Sequence, residues 1–443
     1  MLCCAAAYGQ TAVSGCAAYC TGRVQQSICK EKCQQAVAQQ QAFELPLEEQ
    51  ASLRFELEML TELHTETEIT GSDMYAKKIS GKLFFTTRDG GVYRFIPRPK
   101  EDGRVVEQVY KMPASMKLDT SADKGLYDIA FTPRFNNTRL LYLVYAATCE
   151  SEDGENCDHV LSVAEYFMER ENNIYENITF QTIVERLPQF VPYRSGGFMK
   201  MSADASSKLP TELWISSGGN QDHDRAKLQS QPKYSSIYGI TPHNYKEVHR
   251  QHRAWSMWGN GLNNPFECDF HARTRASNII CLTRQYNEFD EPLSVSLGQI
   301  EPGHTFDETT AHIVNTHGYY RTDKPHSWNQ VFDYETTCPP ETVIFSGKNL
   351  LGLGYENRIF VARPPCAVEE FKQSQLQILA RNSSAREWHM AKVPLDFGKL
   401  NLWRMQLMGA ERSHGLFLAG RDLATNKYGI YLVKKKPGIG LLE

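Results

Sequence analysis

The sequence predicts an all-β chain, a propeller of antiparallel sheets that follows a short helical segment. Three observations predict it. Short apolar runs rich in β-branched and aromatic residues recur from about residue 68 onward, each bounded by Gly, Asn, Asp or Pro. Helical spacing of apolar residues is confined to the first 60 residues. Long polar loops of varied length separate the strand pairs, as expected where each blade is its own small sheet.

The strands are justified one by one. Lys82–Thr87 alternates, Arg88-Asp89-Gly90-Gly91 is hairpin-turn chemistry, and Val92–Ile96 is the returning strand. Leu140–Tyr145 and Val160–Tyr166 flank a loop closed by Cys149 and Cys157. Further strands are expected at Glu212–Ser216, Asn278–Leu282, Arg358–Ala362, Gly415–Ala419 and Gly429–Val433. The propeller is expected to span residues 68–443, and residues 1–60 are expected to form a separate Cys-rich helical segment. Within it, Leu47, Ala51, Phe55, Leu57, Met59 and Leu60 space themselves as on a helix.

Twelve cysteines argue for an oxidising compartment. Six lie in the first 33 residues, and the rest fall into spaced pairs: Cys149 with Cys157, Cys268 with Cys281, and Cys338 with Cys366. Cys16 and Cys20 share one helix face, as do Cys29 and Cys33. Four cysteines allow three pairings. Cys16–Cys33 with Cys20–Cys29 is the simplest, and a zinc site is the competing reading. Cys3 and Cys4 are left to pair with an upstream segment or a second chain. Three sequons, at Asn136, Asn177 and Asn382, agree with secretion. The first 16 residues make a poor signal peptide, so a mature or truncated chain is expected.

Composition excludes some classes. With 48 basic and 52 acidic side chains, the net charge of −4 gives nucleic acid no electrostatic footing. No apolar run approaches a membrane span. Lys348–Gly354 lacks the Lys-Ser/Thr ending of a phosphate loop, and Ser195-Gly196-Gly197 lacks the flanking glycines of a hydrolase elbow.

Three blocks carry a family resemblance. Lys124-Gly125-Leu126-Tyr127-Asp128-Ile129-Ala130-Phe131-Thr132-Pro133-Arg134-Phe135 resembles the "R-G-L-L-x-L-A-F-H-P-x-F" segment of the glucose/sorbosone dehydrogenase family. Arg194-Ser195-Gly196-Gly197-Phe198, followed by Leu213–Gly219, is similar to its "H-x-G-G-x-L … L-Y-I-x-x-G-D". Trp258-Gly259-Asn260-Gly261-Leu262-Asn263-Asn264-Pro265 is similar to its "V-W-A-x-G-L-R-N-P". Within that family the nearest likeness is to the hedgehog-interacting branch, through Asp158–Tyr166 and the Cys268/Cys281 pair. The resemblance implies six blades, pyrroloquinoline quinone over the central channel, a histidine base, an arginine on the quinone, and acidic residues for calcium.

This chain departs from that set at the critical positions. Arg194 stands at the histidine position, and a guanidinium keeps its proton and accepts none from a sugar hydroxyl. Asn263 stands at the arginine position and Gly219 at an aspartate position. Candidate contact residues for a ligand or partner are Arg194, Asp222, His223, Asp224, Asp290 and Glu291. Asp222, Asp224 and Asp290 are the candidates for calcium.

The expected function is therefore a secreted or cell-surface propeller that binds a protein partner without catalysis. No cofactor is expected, calcium is left open, and the quinone is disfavoured. One alternative is a quinone- and calcium-dependent aldose dehydrogenase with His223 or Asp290 as a replacement base. Another is a subunit of an extracellular assembly, joined into oligomers through residues 1–60.

Overall fold

Alternation of apolar and polar residues builds the strands, and ring closure stacks them. The protein is described by a computed structural model, which covers residues 55–63, 68–75, 82–95, 106–122, 124–132, 135–154, 157–171, 174–190, 196–201, 213–218, 236–240, 255–260, 262, 264–270, 279–286, 292–300, 304–305, 329–335, 340–345, 359–365, 374–381, 388–393, 395–396, 402–411 and 415–435. The strands expected from the sequence form, most of them extended by a few residues: Lys82–Thr87, Gly91–Phe95, Leu140–Ala147, His159–Glu171, Leu213–Ser217, Ile279–Tyr286, Ile359–Arg363, Gly415–Asp422 and Tyr428–Lys435. The longest helix among the described residues is the four-residue Phe135–Thr138, and none there is long and apolar enough to cross a membrane.

The described strands assemble into six sheets. The first holds Ile69–Tyr75, Lys82–Thr87, Gly91–Phe95 and Val106–Lys111; the second holds Leu126–Phe131, Leu140–Ala147, His159–Glu171 and Ile174–Gln189. The third runs from Gly196–Met201 to Trp255–Asn260, with the short His304–Thr305 strand added in parallel. The fourth starts at Pro265–Phe270, the fifth at Thr342–Phe345 and the sixth at Leu402–Glu411. Within each sheet, consecutive strands pair antiparallel. The six starting strands touch one another in cyclic order, the sixth closing on the first. That closed contact ring places them around a common axis, with the other strands radiating outward.

The sixth sheet corrects one expectation. Residues 55–60, read as the end of a helix, belong to a strand, Phe55–Leu63. It pairs antiparallel with Tyr428–Lys435, with Leu57 opposite Val433 and Met59 opposite Tyr431. A bulge between Met59 and Thr61 inserts one extra residue. The bulge lets Leu60 and Leu63 pack into one cluster although they are three positions apart. Spacing by three mimics a helix in sequence. The N-terminal strand thereby ties the start of the described chain to its end. Residues 1–54 lie outside the described residues, and with them the expected Cys16–Cys33 and Cys20–Cys29 bridges.

Apolar side chains fill the wedges between neighbouring sheets. Phe84 and Val92 of the first sheet meet Phe131, Leu141 and Leu143 of the second, with the Phe84 and Phe131 rings 4.9 Å apart. Phe95 of the first sheet meets Phe417 of the sixth at 5.7 Å. Similar clusters join the second sheet to the third and the fourth to the fifth. Burial of this kind, at roughly 25 cal/mol per Å² of apolar surface, is the main force that holds each sheet to the next.

Candidate functional site: the mouth of the central channel

Where the innermost strands begin, they surround a cavity of about 180 Å³. Its wall takes residues from five of the six sheets, among them Glu68 and Thr70, Tyr127 and Asp128, Gly196–Phe198, Phe266 and Glu267, and Glu341. The first two sequence blocks, far apart along the chain, converge on this wall, and the third ends at Pro265, directly before Phe266 and Glu267 of the wall.

Backbone approach explains the glycines. A Cβ at Gly197, where φ is +100°, would sit 2.8 Å from the Tyr127 ring. One at Gly71 would meet the Asp128 Oδ1 atom at 2.4 Å. Both neighbours of the Leu126–Phe131 strand therefore come closer than any side chain permits. Polar bonds fix the same approach. Asp128 accepts the Ile129 N–H at 2.8 Å and, across the gap to the third sheet, the Met199 N–H at 3.0 Å. The Gly196 N–H donates to Asn264 Oδ1 at 3.2 Å, and the Asn264 carbonyl accepts the Arg284 N–H at 3.1 Å. Asn264 thus locks the second block to the third. On the first sheet's side, Thr70 donates to the Leu126 carbonyl, and Arg88 forms an ion pair with Glu68.

The electrostatics of the wall are uneven. Burial pushes the Glu267 carboxyl well above its ordinary pKa, and the Asp128 and Asp269 carboxylates push it further. Lys200 and a bond from Thr342 Oγ1, at 3.4 Å, oppose this without reversing it. Lys200 is itself taken by Asp269. Arg284 lies over the Phe266 ring, 4.9 Å from its centroid, and no carboxylate among the described residues pairs with it. The wall can accept hydroxyl protons at its carboxylates, offer a guanidinium to an anion, and present ring faces to an apolar surface.

The expected site residues fare unequally. Arg194, Asn263, Gly219, Asp222, His223, Asp224, Asp290 and Glu291 lie outside the described residues. Their sequence neighbours Gly196, Gly197 and Asn264 are at the mouth. Sequence reasoning missed Asp128, Glu267 and Arg284. A signal existed for the first two: each is an acidic residue inside a largely apolar strand, Leu-Tyr-Asp-Ile-Ala-Phe and Pro-Phe-Glu-Cys-Asp-Phe, the second of which also carries Asp269. Two expected disulfides are formed, Cys149–Cys157 and Cys268–Cys281, the second between residues directly opposite on paired strands. The Cys338–Cys366 pair lies outside the described residues. Of the sequons, Asn177 and Thr179 are exposed on the Ile174–Gln189 strand, Asn136 falls in the Phe135–Thr138 helix, and Asn382 lies outside.

Residues 74–276 match the model of the Glucose / Sorbosone dehydrogenase family. Solved structures with a similar fold include a glucose dehydrogenase, at 15% identity over 87% of this chain and 99% of that one, TM-score 0.59. The soluble aldose sugar dehydrogenase of Escherichia coli, in its apo-form, aligns at 13% identity over 86% of this chain and all of that one, TM-score 0.56. The PQQ-bound aldose sugar dehydrogenase of Streptomyces coelicolor aligns at 13% identity over 86% and 99%, TM-score 0.53. At these identities the likeness shows the fold, a β-propeller. No curated protein sequence matches the chain.

Proposed function

We propose that this chain is a six-bladed propeller of the glucose/sorbosone dehydrogenase family, of its hedgehog-interacting branch, that acts outside the cell as a non-catalytic binding module. The observation that carries the reading is the position of Gly196-Gly197 on the channel wall. Two residues ahead of Gly196, where the family resemblance implies an imidazole base, the chain has Arg194. A guanidinium cannot take the hydroxyl proton that hydride loss from a sugar requires. The closed ring of six sheets supports the blade number. The two formed disulfides and the exposed Asn177 sequon support an oxidising, extracellular setting.

The described wall does not fit pyrroloquinoline quinone. It presents the carboxylates of Glu68, Asp128 and Glu341 against two guanidiniums, Arg88 is already held by Glu68, and Glu267 is pushed toward its neutral form. A polyanionic quinone would meet net repulsion there. For calcium, no group of three or more Asp, Glu, His or Cys among the described residues stands ready to hold an ion. Asp222, Asp224 and Asp290 stay with this proposal as candidates for calcium or for contact with a protein partner, alongside Arg194, His223 and Glu291.

The test is direct. Purified full-length chain, supplied with the quinone, calcium, an aldose and an artificial electron acceptor, is expected to show neither a bound-quinone absorbance nor turnover. Clear turnover would overturn the reading. The dehydrogenase activity named for the structural neighbours favours a second reading, an aldose dehydrogenase with a replacement base. On that reading, quinone absorbance appears and is lost in His223→Ala or Asp290→Ala.

A further inference from the structure

Among the described residues, the channel mouth carries a cation with no anion to match it. Arg88 is matched by Glu68 and Lys200 by Asp269, but Arg284 rests on the Phe266 ring and has no carboxylate partner among the described residues. A guanidinium stays charged at every physiological pH, and its planar fork suits a carboxylate. An aromatic face stabilises such a cation less than a full ion pair in a desolvated site can. The rest of the wall is unsuited to a bare anion. Carboxylates at Asp128 and Glu341 would repel one, yet they and the Glu267 carboxyl suit hydroxyl groups, and Tyr127 lines the same wall. The cavity, at about 180 Å³, is smaller than the ~300 Å³ where drug-sized pockets begin. It has room for one sugar ring and not for a chain of them.

We infer that the channel mouth binds one acidic monosaccharide unit, a hexuronate, with its carboxylate on Arg284 and its hydroxyls on the acidic wall. The inference rests on the binding-module reading and names its ligand class. Burial and acidic neighbours push the Glu267 carboxyl toward its neutral form, in which it can donate to a hydroxyl as well as accept from one. A neutral aldose would leave Arg284 without its anion, so discrimination against it follows from one missing charge. The unit can be a free sugar acid or the end of an acidic polysaccharide; the chemistry recognised is the same.

The test needs only the intact chain and ligand titrations by calorimetry or saturation-transfer NMR. The probes are glucuronate, glucose, acetate and an oligosaccharide that ends in glucuronate. Glucuronate is expected to bind at least tenfold more tightly than glucose or acetate, a difference of about 1.4 kcal/mol. Arg284→Gln is expected to erase the preference over glucose, and Arg284→Lys to keep part of it. If the oligosaccharide binds more tightly than the monomer, the source is a polysaccharide end; equal binding points to the free acid. Glucuronate no tighter than glucose, acetate as tight as glucuronate, or no binding at about 50 mM would overturn the inference. The wild-type panel decides even if Arg284→Gln fails to fold. Turnover with added quinone would sink the binding-module reading, whereas lost acid preference in an inactive chain would sink this inference alone.

Discussion

The second sheet and the channel mouth both bury charge, and they handle it in opposite ways. In the loops that flank the second sheet, charges meet their complements. Lys124 sits between Asp119 at 2.8 Å and Asp158 at 2.9 Å, and Asp158 also holds His159 Nδ1 at 2.8 Å. Beside them Arg186 reaches Asp153 at 2.8 Å, next to the Cys149–Cys157 bridge. At the mouth, carboxyl faces carboxyl around Glu267, and Arg284 faces a ring. Matched charges specify a fold, because removing either partner strands the other in a poor solvent. A charge with no counter-ion among the described residues, as at Arg284, contributes little to the fold and leaves interaction capacity for something outside the chain.

The largest expected effect separates packing from the mouth. Leu143 is fully buried between the first and second sheets. Leu143→Ala is expected to cost about 2–5 kcal/mol, read as a lower denaturant midpoint at constant slope. Arg284→Gln is expected to stay within about 0.5 kcal/mol of wild type. Equal losses for the two would mean that the mouth is part of the structural core, and the comparison would break.

A smaller effect tests the matched set. Burial alone would lower the Lys124 pKa, but Asp119 and Asp158 outweigh it and hold the ammonium charged. Lys124→Met removes the charge and leaves two carboxylates facing each other. The expected cost is about 2 kcal/mol, below the 3–5 kcal/mol for fully buried pairs because Asp158 is part-exposed. The double variant Lys124→Met with Asp158→Asn should recover part of the loss. No recovery would show that packing of the lysine stem, and not charge matching, holds this corner.

The two regions also differ in how legible they were in sequence. Strands such as Lys82–Thr87 and Leu140–Ala147 announce themselves, because alternation and β-branching are local properties. Phe55–Leu63 did not, since its bulge turns a period of two into a spacing of three. The glycines and Asn264 of the mouth were visible as motif residues, yet their partners were not. Arg284 is in plain view in the chain, but nothing local says that it will lie on Phe266. That contact follows from the register of two strands, and the cavity follows from ring closure of six sheets. Asp128 and Glu267 were readable in principle as acidic residues in apolar strands. Only the ring shows that they share one cavity.

The smallest effect has the sharpest sign. The second sheet should lose stability as pH falls. Burial opposes ionisation of Asp119 and Asp158, but their bonds to Lys124 win and lower both pKa values, so their contribution is lost as pH drops below the ordinary carboxylate range. His159 acts in the same direction: burial lowers its pKa despite Asp158, so its contribution is full above about 6.5 and declines as pH falls from there. Glu267 runs the other way. Its folded pKa is raised above 4.5, so its contribution is present below that value and is lost as pH rises through the raised one. Glu267→Gln keeps the shape of the neutral acid and removes the ionisation. Its stability should match wild type at pH 4 and exceed it at pH 8, measured by urea unfolding at both values. A variant less stable than wild type at pH 8 would mean that Glu267 is ionised and matched by a cation. The mouth would then be balanced in the same way as the second sheet.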